Sequence, residues 1–118
     1  ISGPLIIEGA GGLFVPLNSD EMLIDFIESH KFLTVLVTKN YLGSLNHTFL
    51  SVEALRARNI PVLGLVFNGP ADRDLEDFVE KRTKLPILLR VKEHKNLTRE
   101  LVRTYAEQLN EALCGRLA

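Results

Sequence analysis

Two kinds of hydrophobic pattern alternate along the chain. Residues 5–7 (Leu5, Ile6, Ile7), 33–37, 62–67 and 85–89 are short, nearly continuous apolar runs. Such runs predict strands covered on both faces, as in a parallel sheet. Between them, apolar residues recur at spacings of three and four. Met22, Leu23, Phe26 and Ile27 predict a helix over residues 21–30, with Asp25 a solvated acid on its polar side. Leu45, Phe49, Val52 and either Leu55 or Leu50 predict a second over 44–58. Leu75, Phe78 and Val79 mark a short charged helix over 72–81. Leu101, Val102, Tyr105, Leu109, Ala112 and Leu113 give the core face of a last helix over 98–113.

Punctuation supports these bounds. Asn18-Ser19-Asp20 is a turn that can also cap the first helix. Asn59 suits the left-handed position after the second helix, and Pro61 enforces the stop. Asn68-Gly69-Pro70 is a turn after the third strand. Pro16 keeps residues 13–17 off a central ladder, leaving a short strand or an extended loop. Pro86 places the fourth strand at an edge, or stands at its start. Strand and helix therefore alternate four times. The predicted class is α/β, a parallel sheet with helices on both faces and right-handed crossovers. The 118 residues make one domain or part of one, without internal repeat or linker.

Composition narrows the function classes. A hydrophobic share of 46% suffices for a substantial core, and a net charge of −1 argues for neither nucleic acid nor a membrane surface. No apolar run approaches the ~20 residues of a membrane span. Cys114 is the one cysteine, which excludes an intramolecular disulfide framework and fits a reducing, cytoplasmic compartment. The opening Ile1-Ser2-Gly3-Pro4 has neither an initiator Met nor a signal-peptide pattern, and reads as a cut just before a strand.

Candidate chemistry lies in three loops, each following a predicted strand and so gathered on one edge of the sheet. The first is Glu8-Gly9-Ala10-Gly11-Gly12, a carboxylate followed by three glycines within four residues. Glycine permits positive φ and close approach of backbone to a ligand. Strand carboxyl ends are where α/β folds bind ligands. The loop fits a magnesium-phosphate site with Glu8 on the metal, directly or through water, or a tight turn with a surface acid. The second loop, residues 38–46, ends in Gly43-Ser44-Leu45-Asn46 at a helix start. Free N–H groups and the helix dipole attract an anion there, unless Ser44 is only a cap. The third carries Asn68, whose amide can pair with N6 and N7 of adenine, or which simply makes the turn. His47, with no His or Cys at metal-ligand spacing, reads as a structural hydrogen-bonding histidine.

Taken together, the loops carry a resemblance. Ile6-Ile7-Glu8-Gly9-Ala10-Gly11-Gly12 with Val15-Pro16-Leu17 resembles a block of dethiobiotin synthetase. Asn40-Tyr41-Leu42-Gly43-Ser44-Leu45-Asn46-His47-Thr48, followed by Glu53-Ala54-Leu55-Arg56-Ala57-Arg58, resembles the family's next block. Val62-Leu63-Gly64-Leu65-Val66-Phe67-Asn68-Gly69 resembles the strand after it. The match runs in order through residues 5–69. The Glu-Gly-Ala-Gly-Gly turn alone is moderately specific; Gly-Ser-Leu-Asn-His at this distance from it makes the pair strong.

The resemblance implies a P-loop NTPase-like fold and an ATP- and magnesium (Mg2+)-dependent ligase of biotin synthesis. Such an enzyme closes a ureido ring on 7,8-diaminononanoate with CO2 taken from bicarbonate. It implies Glu8 as magnesium ligand, with Glu8, Gly9, Ala10 and Gly11 on the nucleotide side. Gly11 and Gly12 approach the diamine. Gly43, Ser44, Leu45 and Asn46 hold the substrate's far carboxylate, across the interface of a homodimer. Asn68 recognises adenine.

Two departures accompany it. The family's Gly-Lys-Thr phosphate loop is absent: no Gly-Lys pair occurs in the chain. A further lysine and aspartate of the site are also expected upstream. The sequence therefore resembles the carboxyl-terminal half of a larger domain, and is expected to be inactive alone. The second departure is Arg90-Val91-Lys92-Glu93, where members often carry Ile-Pro near the adenine. Competing readings are a non-catalytic dimerisation and substrate-binding half, or a fragment of a cobyrinate amidotransferase. A receiver domain would need an acidic cluster that Glu8 lacks.

Overall fold

The computed structural model describes residues 2–117. Its order is α1 (Leu23–Ser29), β1 (Thr34–Thr38), α2 (Ser44–Ala57), β2 (Val62–Asn68), α3 (Arg73–Thr83), β3 (Ile87–Val91) and α4 (Arg99–Leu113). The three strands form one parallel sheet in the order β1-β2-β3. Crossover helices between consecutive parallel strands make this the α/β arrangement the pattern predicted.

The core follows from strand alternation. Leu65 and Phe67 of β2 point to one face and are buried with Val79 of α3. Leu36, Leu45, Phe49, Leu75, Leu85 and Ile87 pack around them. A second cluster joins Ile24 of α1, Leu55 near the end of α2, and Ile60. Leu55 is fully buried whereas Leu50 is 60% exposed, which settles the alternative left open for the stripe of α2. Asn59 has φ 56°, the left-handed stop expected after α2. α3 starts at its cap Asp72, whose carboxylate accepts the Leu75 N–H at 3.1 Å.

Several expectations are corrected. Residues 5–7 form no strand. Leu5, Ile6 and Ile7 are 65%, 93% and 49% exposed. A strand exists only through ladder bonds to a neighbour, and among the described residues none lies beside this segment. Residues 13–17 are an extended loop with a single antiparallel bridge, Pro16 to Met22. The first helix is not capped by Asn18-Ser19-Asp20. Its cap position is Met22, and the Asp25 carboxylate accepts the Met22 N–H at 2.8 Å. Asp25 is therefore not merely solvated; it also meets Arg58 at 2.5 Å. Thr98 caps α4, but no residue of α4 is buried and Val102 is 56% exposed, so the predicted core face is uncovered. Helical spacing reports a face, and burial needs a partner for it. Leu33, Val35 and Val37, on one face of β1, are likewise exposed.

Candidate functional site

The loops after β1, β2 and β3 meet at one edge of the sheet. Asn40, two residues beyond β1, donates through Nδ2 to the Pro70 carbonyl and to Glu76 Oε1, both at 2.9 Å. The Gly69 N–H donates to the Val91 carbonyl at 2.8 Å. The Lys39 side chain lies over Gly69, where an added Cβ would meet it at 3.0 Å. Residues 40–46 and 68–72 are thus held against each other, as the parallel topology predicted.

The opening of α2 leaves backbone donors free. Gly43 has φ 88°, a left-handed conformation that turns the chain into the helix with no side chain in the way. The Ser44 N–H donates to the Tyr41 carbonyl at 3.0 Å, so the free donors are those of Leu45 and Asn46 rather than all three. Ser44 is 2% exposed, and its Oγ has no hydrogen-bond partner among the described residues. Ser44 therefore makes no side-chain cap. His47 is tied to its own loop, with Nδ1 2.6 Å from Tyr41 Oη.

Asn68, the last residue of β2, is exposed and its side-chain amide makes no hydrogen bond among the described residues. Beyond it, Arg90, Lys92 and His94 border a cavity of about 510 Å3 between β3 and α4. Arg73, Arg90, Lys92, His94 and Tyr105 line it, and no carboxylate does. His94 Nε2 and the Lys92 N–H both meet Tyr105 Oη, at 2.6 and 3.1 Å.

The Glu8 loop is the third. Gly11 and Gly12 have φ 82° and 109°, the positive values expected of the turn. The loop rests on α1, since a Cβ at Gly9 would run into Leu23. Glu8 is exposed, and among the described residues no hydrogen bond links residues 8–12 to the other two loops. No group of three His, Cys, Asp or Glu side chains there could hold a metal. A single acid still fits magnesium, which keeps several waters and is commonly held by one or two carboxylates plus substrate phosphates.

Sequence reasoning missed Glu76. It is 1% exposed, and Arg90 Nε donates to its Oε2 at 2.6 Å. Burial pushes its carboxyl up, but hydrogen bonds from Arg90, the Asp72 N–H and Asn40 outweigh burial and hold it below its ordinary 4.5. The signal was present: Glu76, Val79 and Thr83 recur at helical spacing, placing the acid on the buried stripe of α3.

A parallel sheet with loops gathered at its carboxyl edge is an α/β ligand-binding architecture, and known proteins narrow it to a family. A family model described as AAA domain matches residues 2–101, and the chain belongs to that family. Similar curated proteins include ATP-dependent dethiobiotin synthetases. The one from Christiangramia forsetii is 43% identical over 110 residues, covering 93% of this chain and 53% of the relative. The one from Cytophaga hutchinsonii is 45% identical over 105 residues, 89% of this chain and 51% of the relative. A biotin biosynthesis bifunctional protein from Bordetella avium is 38% identical over 108 residues, 92% of this chain and 23% of its own length. The resemblance carried by the Glu-Gly-Ala-Gly-Gly and Gly-Ser-Leu-Asn-His blocks is borne out. The chain spans about half the length of the dethiobiotin synthetases it matches. No helix of the described residues is long and apolar enough to cross a membrane.

Proposed function

We propose that this chain is the carboxyl-terminal part of a cytoplasmic, homodimeric, ATP- and magnesium-dependent dethiobiotin synthetase. The whole protein converts 7,8-diaminononanoate and CO2 to dethiobiotin. One amine takes up CO2 as a carbamate, losing a proton. ATP phosphorylates the carbamate, releasing ADP. The second amine attacks the carbonyl carbon and expels phosphate, closing the ureido ring. Glu8 would be among the ligands of magnesium, which when bound would supply neutralisation of charge on the transferred phosphoryl group.

The remaining residues bind and orient. The observation that carries this reading is the start of α2, with unpaired Leu45 and Asn46 N–H groups behind a bare Gly43. A carboxylate there gains charge-assisted hydrogen bonds and the attraction of the helix dipole. Gly11 and Gly12 let the backbone approach the diamine end. Asn68 pairs with adenine beside the cationic cavity bordered by Arg90, Lys92 and His94. The coverage of about half of each synthetase supports assigning the phosphate loop to residues outside this chain. The exposure of Leu5, Ile6, Ile7, Val35 and Val37 supports a further strand between those segments.

On this reading the active site is shared between subunits, with Glu8 of one chain facing the α2 start of the other. Mixing full-length Glu8→Gln subunits with Gly43→Glu subunits tests this. Each homodimer should be nearly inactive, and the mixed dimer should regain one intact site of its two. No rescue in dimers shown to have exchanged subunits would place both groups in one chain.

A further inference from the structure

We propose that Glu76 is a positioning residue that locks the loop before α2 to the loop after β2, so that the two sites they carry are formed together. Its carboxylate reaches three elements. Oε1 accepts from Asn40 Nδ2 at 2.9 Å and from the Asp72 N–H at 3.3 Å, and Oε2 accepts from Arg90 Nε at 2.6 Å. Asn40 stands three residues before Gly43. Asp72 stands four residues after Asn68. Arg90 belongs to β3. One buried acid thus bonds to the chain beyond the ends of β1 and β2 and to the last strand itself.

The chemistry selects a carboxylate. All three neighbours are donors: an amide NH2, a backbone N–H and a guanidinium. A neutral isostere such as Gln accepts through one oxygen only and turns its own NH2 toward donors. A buried charge persists where its hydrogen bonds are complete, and such networks hold one arrangement of their members. Asn40 adds a direct tie through the Pro70 carbonyl at 2.9 Å, so Glu76, Asn40 and the 68–72 turn form one closed knot. Glu76 touches neither Gly43–Asn46 nor Asn68; it acts through their loops. Arg90, at the departure from the family's Ile-Pro pair, donates its Nε–H to this knot.

The roles of the two loops rest on the synthetase reading above, and the test separates the two claims. Full-length Glu76→Gln and Asn40→Ala are compared with the unchanged protein by amide hydrogen exchange and by steady-state kinetics. In Glu76→Gln, exchange in residues 41–46 and 69–72 should accelerate about tenfold, while amides of residues 64–67 keep their protection. The KM values for ATP and for the diamine should both rise, with kcat changing less than either. Asn40→Ala leaves the Glu76–Arg90 pair intact and should loosen residues 41–46 and raise the diamine KM. It carries the test if Glu76→Gln does not fold. Unaltered exchange in both loops overturns the proposal, as does a fall in kcat at constant KM. If the unchanged protein makes no dethiobiotin, the synthetase reading fails while exchange still decides the role of Glu76.

Discussion

Arg58 Nη1 lies 2.5 Å from Asp25 Oδ1, joining the end of α2 to the first turn of α1. The same nitrogen donates to Glu28 at 2.9 Å. The Met22 N–H, then Arg58, hold the Asp25 carboxyl below its usual 3.8. A depressed carboxyl contributes stability that is complete above its unfolded value and lost as pH falls through the folded one. NMR titration of full-length Arg58→Gln should show the Asp25 carboxyl moving up, without reaching 3.8, because the Met22 N–H remains. An unmoved Asp25 would show that the pair is screened away by solvent.

Glu76 and Arg90 give a stronger case, since the acid is 1% exposed. Its folded value also lies below 4.5, so the stability it contributes fails in acid rather than in base. Arg90→Ala leaves a buried charge short of its strongest donor and should cost about 3 kcal/mol at pH 7 in denaturant melts. The loss should shrink as pH falls through the folded value. An equal loss at pH 7 and in acid where NMR shows the Glu76 carboxyl protonated would mean that Arg90 acts by packing alone.

The two leucines left as alternatives on α2 separate cleanly. Leu55→Ala should cost ~2–5 kcal/mol, because the side chain is fully buried against Ile24 and Ile60. Leu50→Ala, at 60% exposure, should stay within about 0.5 kcal/mol. Thermal or urea unfolding checks both, and comparable losses would misplace the core.

Much of this was legible in the chain because the signals were local. Asn59 and Pro61 end a helix wherever they stand, and Gly43 before Ser44 opens one. The continuous runs at residues 33–37 and 62–67 gave strands because a neighbour was there to pair. Leu5-Ile6-Ile7 has the same composition and no neighbour among the described residues, so pattern alone misread it. Glu76 was hidden differently. Its neighbours Asp72, Asp74 and Asp77 made the helix look evenly charged, and only its three-residue spacing from Val79 marked it as buried. The motifs at Glu8, Gly43 and Asn68 marked the candidate loops. The hydrogen bonds that hold two of those loops together join residues 30 and more apart in sequence.

Nucleotide recognition has its own test. Asn68→Ala in the full-length protein should weaken ATP by the worth of an amide–adenine pairing, ~1–3 kcal/mol. The diamine KM should change far less. Equal losses for both substrates would make Asn68 a turn residue.

The central claim is that the α2 start seats the carboxylate of a diamine undergoing ureido closure. Its most direct test is dethiobiotin formation from 7,8-diaminononanoate, ATP and labelled bicarbonate, comparing the full-length protein, its Gly43→Glu variant and the 118-residue chain alone. The full-length protein should form product, and the isolated chain none. Gly43→Glu, which puts a negative charge on the seat, should cut kcat/KM for the diamine about a hundredfold while the ATP constant holds. Absence of product from the full-length protein, or an unchanged diamine constant in Gly43→Glu, would contradict the account.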